Sequence, residues 1–185
     1  CQNLETRFWK RRRVLFFRHF SPTRGGIPGG RLFPDTMKIT SATFAISAPD
    51  LKSCPEPTLP EVAFIGRSNV GKSSMINLLT SRRDLAKVSA TPGKTRMINF
   101  FEVNGAWMLV DLPGYGYAQA SHADREEFGK AAAGYLEHRE NLRRVFVLVD
   151  SRLAPQRLDL ACAYWLADRA VPFSLIFTKA DKLKA

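Results

Sequence analysis

The sequence predicts an α/β domain with a doubly wound, mainly parallel sheet that carries one antiparallel hairpin strand. Three observations lead there. The runs "EVAFI" (61–65), "VFVLVD" (145–150) and "FSLIF" (173–177) are apolar without alternation, so each reads as a strand covered on both faces. Segments with helical period separate them. The pair "MINFFEV" (97–103) and "WMLVDL" (107–112) flanks "NGA", a turn signal that makes these two strands antiparallel neighbours.

Taken in order, Glu61 to Ile65 is the first buried strand, and Lys72 to Leu79 is a helix that begins inside a glycine loop. The hairpin follows. Asp124 to Arg139 is helical, with Phe128, Ala131, Ala132, Tyr135 and Leu136 on one face. Leu158 to Arg169 is a second such helix, expected to present Leu158, Ala161, Trp165 and Leu166 together. Buried strands alternating with amphipathic helices require layers on both sides of the sheet. Ligands of such sheets bind outside the carboxyl ends of the strands. Polar sets stand at those ends: "GRSNVGKS", "DLPG", "DSR" and "TKAD".

Composition sets the limits. With 185 residues, 45% of them apolar and 24% charged, the chain can build one domain with a real core. No stretch reaches the roughly 18 apolar residues of a spanning helix, so a soluble protein with no membrane partner is expected. The net charge of +11 divides into +6 on residues 1–36 and +5 on the rest. A mildly basic domain suits an RNA-rich partner and equally suits an ordinary solvated surface. Cys1, Cys54 and Cys162 show neither metal-ligand nor paired spacing, which fits a reducing, cytoplasmic setting.

Residues 1–36 read differently from the remainder. "FWKRRRVLFFRHF" mixes arginine with aromatics, "PTRGGIPGGRLFP" is turn-rich, and ordinary patterning begins at Met37. A transit peptide would carry more serine and an amphipathic helix, and a secretory signal a longer apolar region than "VLFF". A basic, disordered or non-native leader with Met37 as the natural start fits best, leaving residues 37–185 as the domain.

The glycine loop gives the strongest chemical signal. "GRSNVGKS" fits G-x-x-x-x-G-K-[ST] at Gly66, Gly71, Lys72 and Ser73, the pattern of a P-loop NTPase. Its glycines let the loop curl so that N–H groups point inward, and the helix that follows adds the positive end of its dipole. Lys72 reaches the terminal phosphates, and the Ser73 hydroxyl is placed to ligate Mg²⁺. Asp111 and Gly114 of "DLPG", 38 and 41 residues beyond Ser73, can serve the outer metal shell and the γ-phosphate. Between Ser73 and Asp111, "TPGKT" (91–95) offers Thr95 as the mobile threonine that closes on the metal. Lys72, Thr95 and Gly114 are thus the groups expected to act on the γ-phosphate. "TKAD" (178–181) selects the base: Asp181 accepts from guanine N1–H and its exocyclic amine together, and Lys179 lays its stem along the ring. Adenine offers no such pair, so GTP is expected over ATP.

"GRSNVGKSS", "TPGKTRMINFF", "VDLPGYGYA" and "FTKADKL" together resemble the EngB (YihA/YsxC) family of bacterial ribosome-biogenesis GTPases, from about Met37 to Ala185. The resemblance implies a TRAFAC-class, Ras-like domain cycling between GDP and GTP with Mg²⁺. It also implies a role in assembling the large ribosomal subunit and a link to cell division and septation; a monomer is expected. Carried over by position, the nucleotide contacts are Gly66, Arg67, Ser68, Asn69, Val70, Gly71, Lys72 and Ser73. To these the resemblance adds Gly93, Lys94, Thr95, Arg96 and Met97, then Asp111, Leu112, Pro113 and Gly114, and lastly Thr178, Lys179, Ala180 and Asp181. Ser73 and Thr95 would ligate the metal, with Asp111 in its outer shell, and Asn69 resembles an asparagine that helps hold K⁺ in related GTPases.

Two departures follow. Tyr115 stands where many small GTPases place a glutamine that orients the attacking water, so slow intrinsic hydrolysis is expected. The chain stops four residues past Asp181, so the further strand, base-contacting loop and closing helix that the resemblance implies are missing from it. An open edge on the last strand, weaker GTP binding and aggregation are therefore expected. A non-hydrolysing guanine-nucleotide-binding scaffold for ribosomal RNA or protein is the rival reading.

Overall fold

The computed structural model describes residues 15–20, 38–86, 97–115 and 122–183. Among these, strands β1 (Leu15–Phe20), β2 (Ala42–Ala48), β3 (Glu61–Gly66), β4 (Ile98–Val103), β5 (Trp107–Asp111), β6 (Leu142–Asp150) and β7 (Phe173–Thr178) form one sheet. Its order is β1-β7-β6-β3-β5-β4-β2. The central β7, β6, β3 and β5 are mutually parallel, and β4 returns antiparallel to β5 across the hairpin. Asn104 and Gly105 both take positive φ, 53° and 62°, as a tight turn matched to strand twist requires.

Helices α1 (Lys72–Thr80), α2 (His122–His138) and α3 (Arg157–Asp168) cover the two faces. Alternation within β3 shows how. Val62 and Phe64 pack with Met75 and Ile76 of α1, whereas Ala63 and Ile65 pack with Ala132, Tyr135 and Leu136 of α2 and Leu166 of α3. Both sets are buried, which is why the sequence of β3 is apolar throughout.

Two strands extend the expected sheet. β2 joins β4 antiparallel, and its entry is fixed by the hairpin tip. There Asn104 Oδ1 accepts from Thr40 N at 2.8 Å and Ser41 N at 3.0 Å, while Nδ2 donates to Lys38 O at 2.8 Å. At the opposite rim β1, inside the segment expected to lack structure, pairs antiparallel with β7 from Leu15↔Phe177 to Phe20↔Phe173. The β7 edge expected to lie open is therefore hydrogen-bonded; an aromatic-rich run such as "LFFRHF" suits that place.

The rotation of α3 also differs from expectation. Leu158 and Ala161 face solvent, and the buried side carries Asp159 and Leu166 with Cys162 half-buried. Apolar residues lie all round this helix, so periodicity alone does not set its phase. Asp159 sets it, through contacts described below. Far from the strand ends that matter for ligands, buried Glu61 accepts from Tyr135 Oη at 2.6 Å and from Arg139 Nε and Nη2 at 2.9 and 2.6 Å, pinning α2 to the start of β3.

Candidate functional site

The loop between β3 and α1 is shaped by two glycines with different tasks. A Cβ at Gly66 would lie 2.9 Å from Leu148 O and 2.9 Å from Val70 Cγ1, so this position lets β3 lie close against β6 and the loop fold over it. Room for phosphate is not its task. Gly71 is the one that turns the chain: φ is 103°, and a Cβ there would meet nothing within 4 Å. Asn69, exposed at φ 64°, is a second left-handed position, of a residue type that tolerates it. Met75 N then donates to Gly71 O at 2.9 Å and α1 begins. No acidic side chain of the helix's own first turn neutralises its positive end.

β5 delivers the second segment. Lys72 Nζ donates to Asp111 Oδ1, joining two buried charged groups at the start of α1 and the end of β5. Past Asp111 the chain stays against the loop: Leu112 N donates to Phe64 O at 3.0 Å, Tyr115 N to Gly66 O at 3.3 Å, and Ser68 N to Tyr115 O at 3.4 Å. Buried Leu112 and Pro113 underlie this run, and a Cβ on Gly114 would come 3.0 Å from Gly66 O. Half-buried Ser73 follows Lys72 directly, and a serine hydroxyl in the first turn of α1, with the Asp111 carboxylate that pairs with Lys72, supplies oxygens of the kind a phosphate-bound Mg²⁺ accepts.

β7 delivers the third. Buried Thr178 donates its hydroxyl to Val70 O at 2.7 Å, and Lys179 Nζ donates to Asn69 O at 2.7 Å. Ala180 and Asp181 begin a short 3₁₀ turn, with Asp181 exposed. The segments expected to read phosphate, metal and base thus converge on Arg67–Gly71. Gly93, Lys94, Thr95 and Arg96 lie outside the described residues; Met97, partly exposed, leads into β4.

Two further sets contact these segments. Asp150, at the end of β6, binds Lys179 Nζ at 2.8 Å and Arg152 at 2.9 and 2.7 Å. Those cations, Arg152 first, hold its carboxyl well below the usual range. On α3, buried Asp159 accepts from Tyr115 Oη at 3.0 Å and lies 3.3 Å from Arg67 Nε. Burial, then the neighbouring Cys162 and Asp159, push the Tyr115 phenol far above its ordinary value. Burial likewise pushes the Cys162 thiol up to about 12. "DSR" was visible as a strand-end motif. Asp159 carried no signal, because an acidic residue in the first turn of a helix reads as solvated.

A family described as "50S ribosome-binding GTPase" matches residues 61–179. A probable GTP-binding protein EngB of Bacteroides fragilis is 56% identical over 148 residues, 80% of this chain and 74% of that protein. Its counterpart in Porphyromonas gingivalis is 52% identical over 147 residues, 80% and 73% of the two chains. A crystal structure of a probable GTP-binding protein EngB superposes with a TM-score of 0.58 at 26% identity, covering 68% of this chain and 73% of that one. Aquifex aeolicus Era, at 22% identity and TM-score 0.54, covering 69% of this chain and 42% of its own, shares the fold. The chain belongs to the EngB family of GTP-binding proteins, an α/β GTPase fold.

Proposed function

We propose that the chain is a guanine-nucleotide switch that binds GTP with Mg²⁺ and hydrolyses it slowly. Its nucleotide state would alter the surface offered to the large ribosomal subunit, RNA and protein, during assembly. A single observation supports this most: Thr178 and Lys179 hold the base segment on Val70 and Asn69, while Lys72 and Tyr115 hold the Asp111–Gly114 segment on the other side of the same loop. In this reading Lys72 orients the terminal phosphates, the Gly114 N–H meets the γ-phosphate, and Asp181 reads the guanine edge. Ser73 and Thr95 would hold the metal with Asp111 behind them, and Mg²⁺ would neutralise charge on the β- and γ-phosphate oxygens. Lys72 would exchange Asp111 for phosphate on binding.

Tyr115 supports slow turnover. Its hydroxyl is engaged with Asp159 on α3, so no side chain at that position is offered to an attacking water. The same engagement favours the rival scaffold without hydrolysis. Single-turnover GTP hydrolysis separates the two. A slow rate that Lys72→Ala lowers by about 10²–10³-fold is expected, and no hydrolysis by the unmodified chain would leave only the scaffold. ATP should fail to displace bound GTP.

Asn69 is proposed to help hold K⁺, and faster hydrolysis in potassium than in sodium tests that role. Among the described residues no helix is long and apolar enough to cross a membrane. Cys54 and Cys162 are free thiols, which suits the proposed cytoplasmic setting. A monomer acting in ribosome assembly, with cell division and septation downstream, completes the reading. Co-sedimentation with large ribosomal subunits in GTP but not GDP tests the partner.

A further inference from the structure

The strand-end motif "DSR" has no part in the roles assigned above, yet each of its residues is engaged with the base segment or beside it. Ser151 donates to Thr178 O twice, from its N at 3.1 Å and its Oγ at 2.7 Å. Asp150 is 5% exposed, and its Oδ2 accepts from Lys179 Nζ at 2.8 Å. Arg152 closes the other side of that carboxylate, Nε to Oδ1 at 2.9 Å and Nη2 to Oδ2 at 2.7 Å. A buried carboxylate survives when paired and hydrogen-bonded, and a forked guanidinium does this with fixed geometry. Lys179 is therefore strung between Asp150 and the phosphate loop, with its second bond going to Asn69 O.

Backbone conformation points the same way. Lys179 has φ 59°, a left-handed value that a non-glycine residue keeps only when its surroundings over-determine it. The surroundings that do so are Ser151 on the carbonyl before it and Asp150 on its ammonium. From this strained residue the chain enters the turn carrying Asp181. Arg152 also senses that carboxylate, because the charges of Asp150 and Asp181 both favour its protonated form.

We infer that Asp150, with Ser151 and Arg152, positions the guanine-reading segment, fixing Lys179 and through it the place of Asp181. The inference rests on the role given to Asp181 under the proposed function. Asp150 and Arg152 are positioning residues, since neither needs to touch the base. A purely structural staple between β6 and β7 would give the same hydrogen bonds, so the test must read base discrimination as well as affinity.

Titration calorimetry of the full 185-residue chain in Mg²⁺ buffer, with GDP and with IDP, supplies that reading. IDP lacks the exocyclic amine, and the unmodified chain should prefer GDP by about tenfold or more. Arg152→Ala and Asp150→Asn should cut the preference to about threefold or less, by weakening GDP more than IDP. Arg152→Lys, which keeps charge but loses the fork, should fall between. Arg152 is partly exposed, so its alanine variant decides the matter even if Asp150→Asn fails to fold. An unchanged GDP-to-IDP ratio in folded Arg152→Ala overturns the inference, as does an unmodified chain that binds both nucleotides equally. An unmodified chain that binds no guanine nucleotide sinks the proposed function as well.

Discussion

Gly66 and Gly71 occupy one motif for different reasons, and replacing each separates them. Gly66→Ala forces a methyl to 2.9 Å from a strand carbonyl of β6, and overpacking of that kind costs about 1–3 kcal/mol. Gly71→Ala meets open space and carries mainly the left-handed penalty of about 1 kcal/mol. Thermal unfolding should therefore show the larger drop for Gly66→Ala, whereas nucleotide affinity should suffer in both. Cysteine chemistry offers a second check on single residues. Burial pushes Cys54 up to about 11 and Cys162 up to about 12, from an ordinary 9.0. Both thiols should resist iodoacetamide at pH 8 in the folded chain and react at least tenfold faster in urea. A raised thiol favours the folded state below pH 9 and loses that advantage as pH climbs through the folded values, because the unfolded chain ionises first.

Among elements, α3 is joined to both loops of the site by one side chain. Asp159 takes the Tyr115 hydroxyl and faces Arg67, while its Oδ2 and Arg67 Nε are buried without a hydrogen-bond partner among the described residues. Tyr115→Phe removes the only hydrogen bond described for the Asp159 side chain, and urea unfolding should register a loss of about 1–3 kcal/mol. At the other end of the sheet, Arg139→Ala leaves Glu61 buried with only Tyr135, and about 3–5 kcal/mol should be lost. These two clusters also mark where sequence reasoning stopped. Strand and helix positions, the hairpin and the phosphate loop were legible because apolar run length, period and an Asn-Gly turn are local signals. The phase of α3 was not: Leu158, Ala161 and Leu166 are equally apolar, and only the partner of Asp159, 44 residues away in sequence, chooses among them. The role of Glu61 was hidden for the same reason, since its partners Tyr135 and Arg139 lie within and just past a helix more than 70 residues on.

For the whole molecule, the two rims of the sheet are unequal. One is capped by β1, so a chain begun at Met37 leaves the β7 edge unpaired, and light scattering at rising concentration should show it aggregating sooner than the full chain. Equal solubility of the two would argue that β1 protects nothing. Within the sheet the candidate site was legible as a set of motifs, but the strand order that gathers them depends on long-range pairing. β3 lies between β5 and β6, so three of the four polar strand ends come from neighbours, and β7 next to β6 supplies the fourth. The short ladder from Leu112 to Tyr115 along Phe64, Gly66 and Ser68 continues the parallel pairing of β5 with β3 beyond the last strand residue. Gly114, the proposed sensor of the outermost phosphate, is consequently mounted on bedrock. Under the proposed function, losing that phosphate would move the anchored Gly114 little, so a displacement passed to a partner would have to arise outside the Phe64–Ser68 and Leu112–Tyr115 ladder.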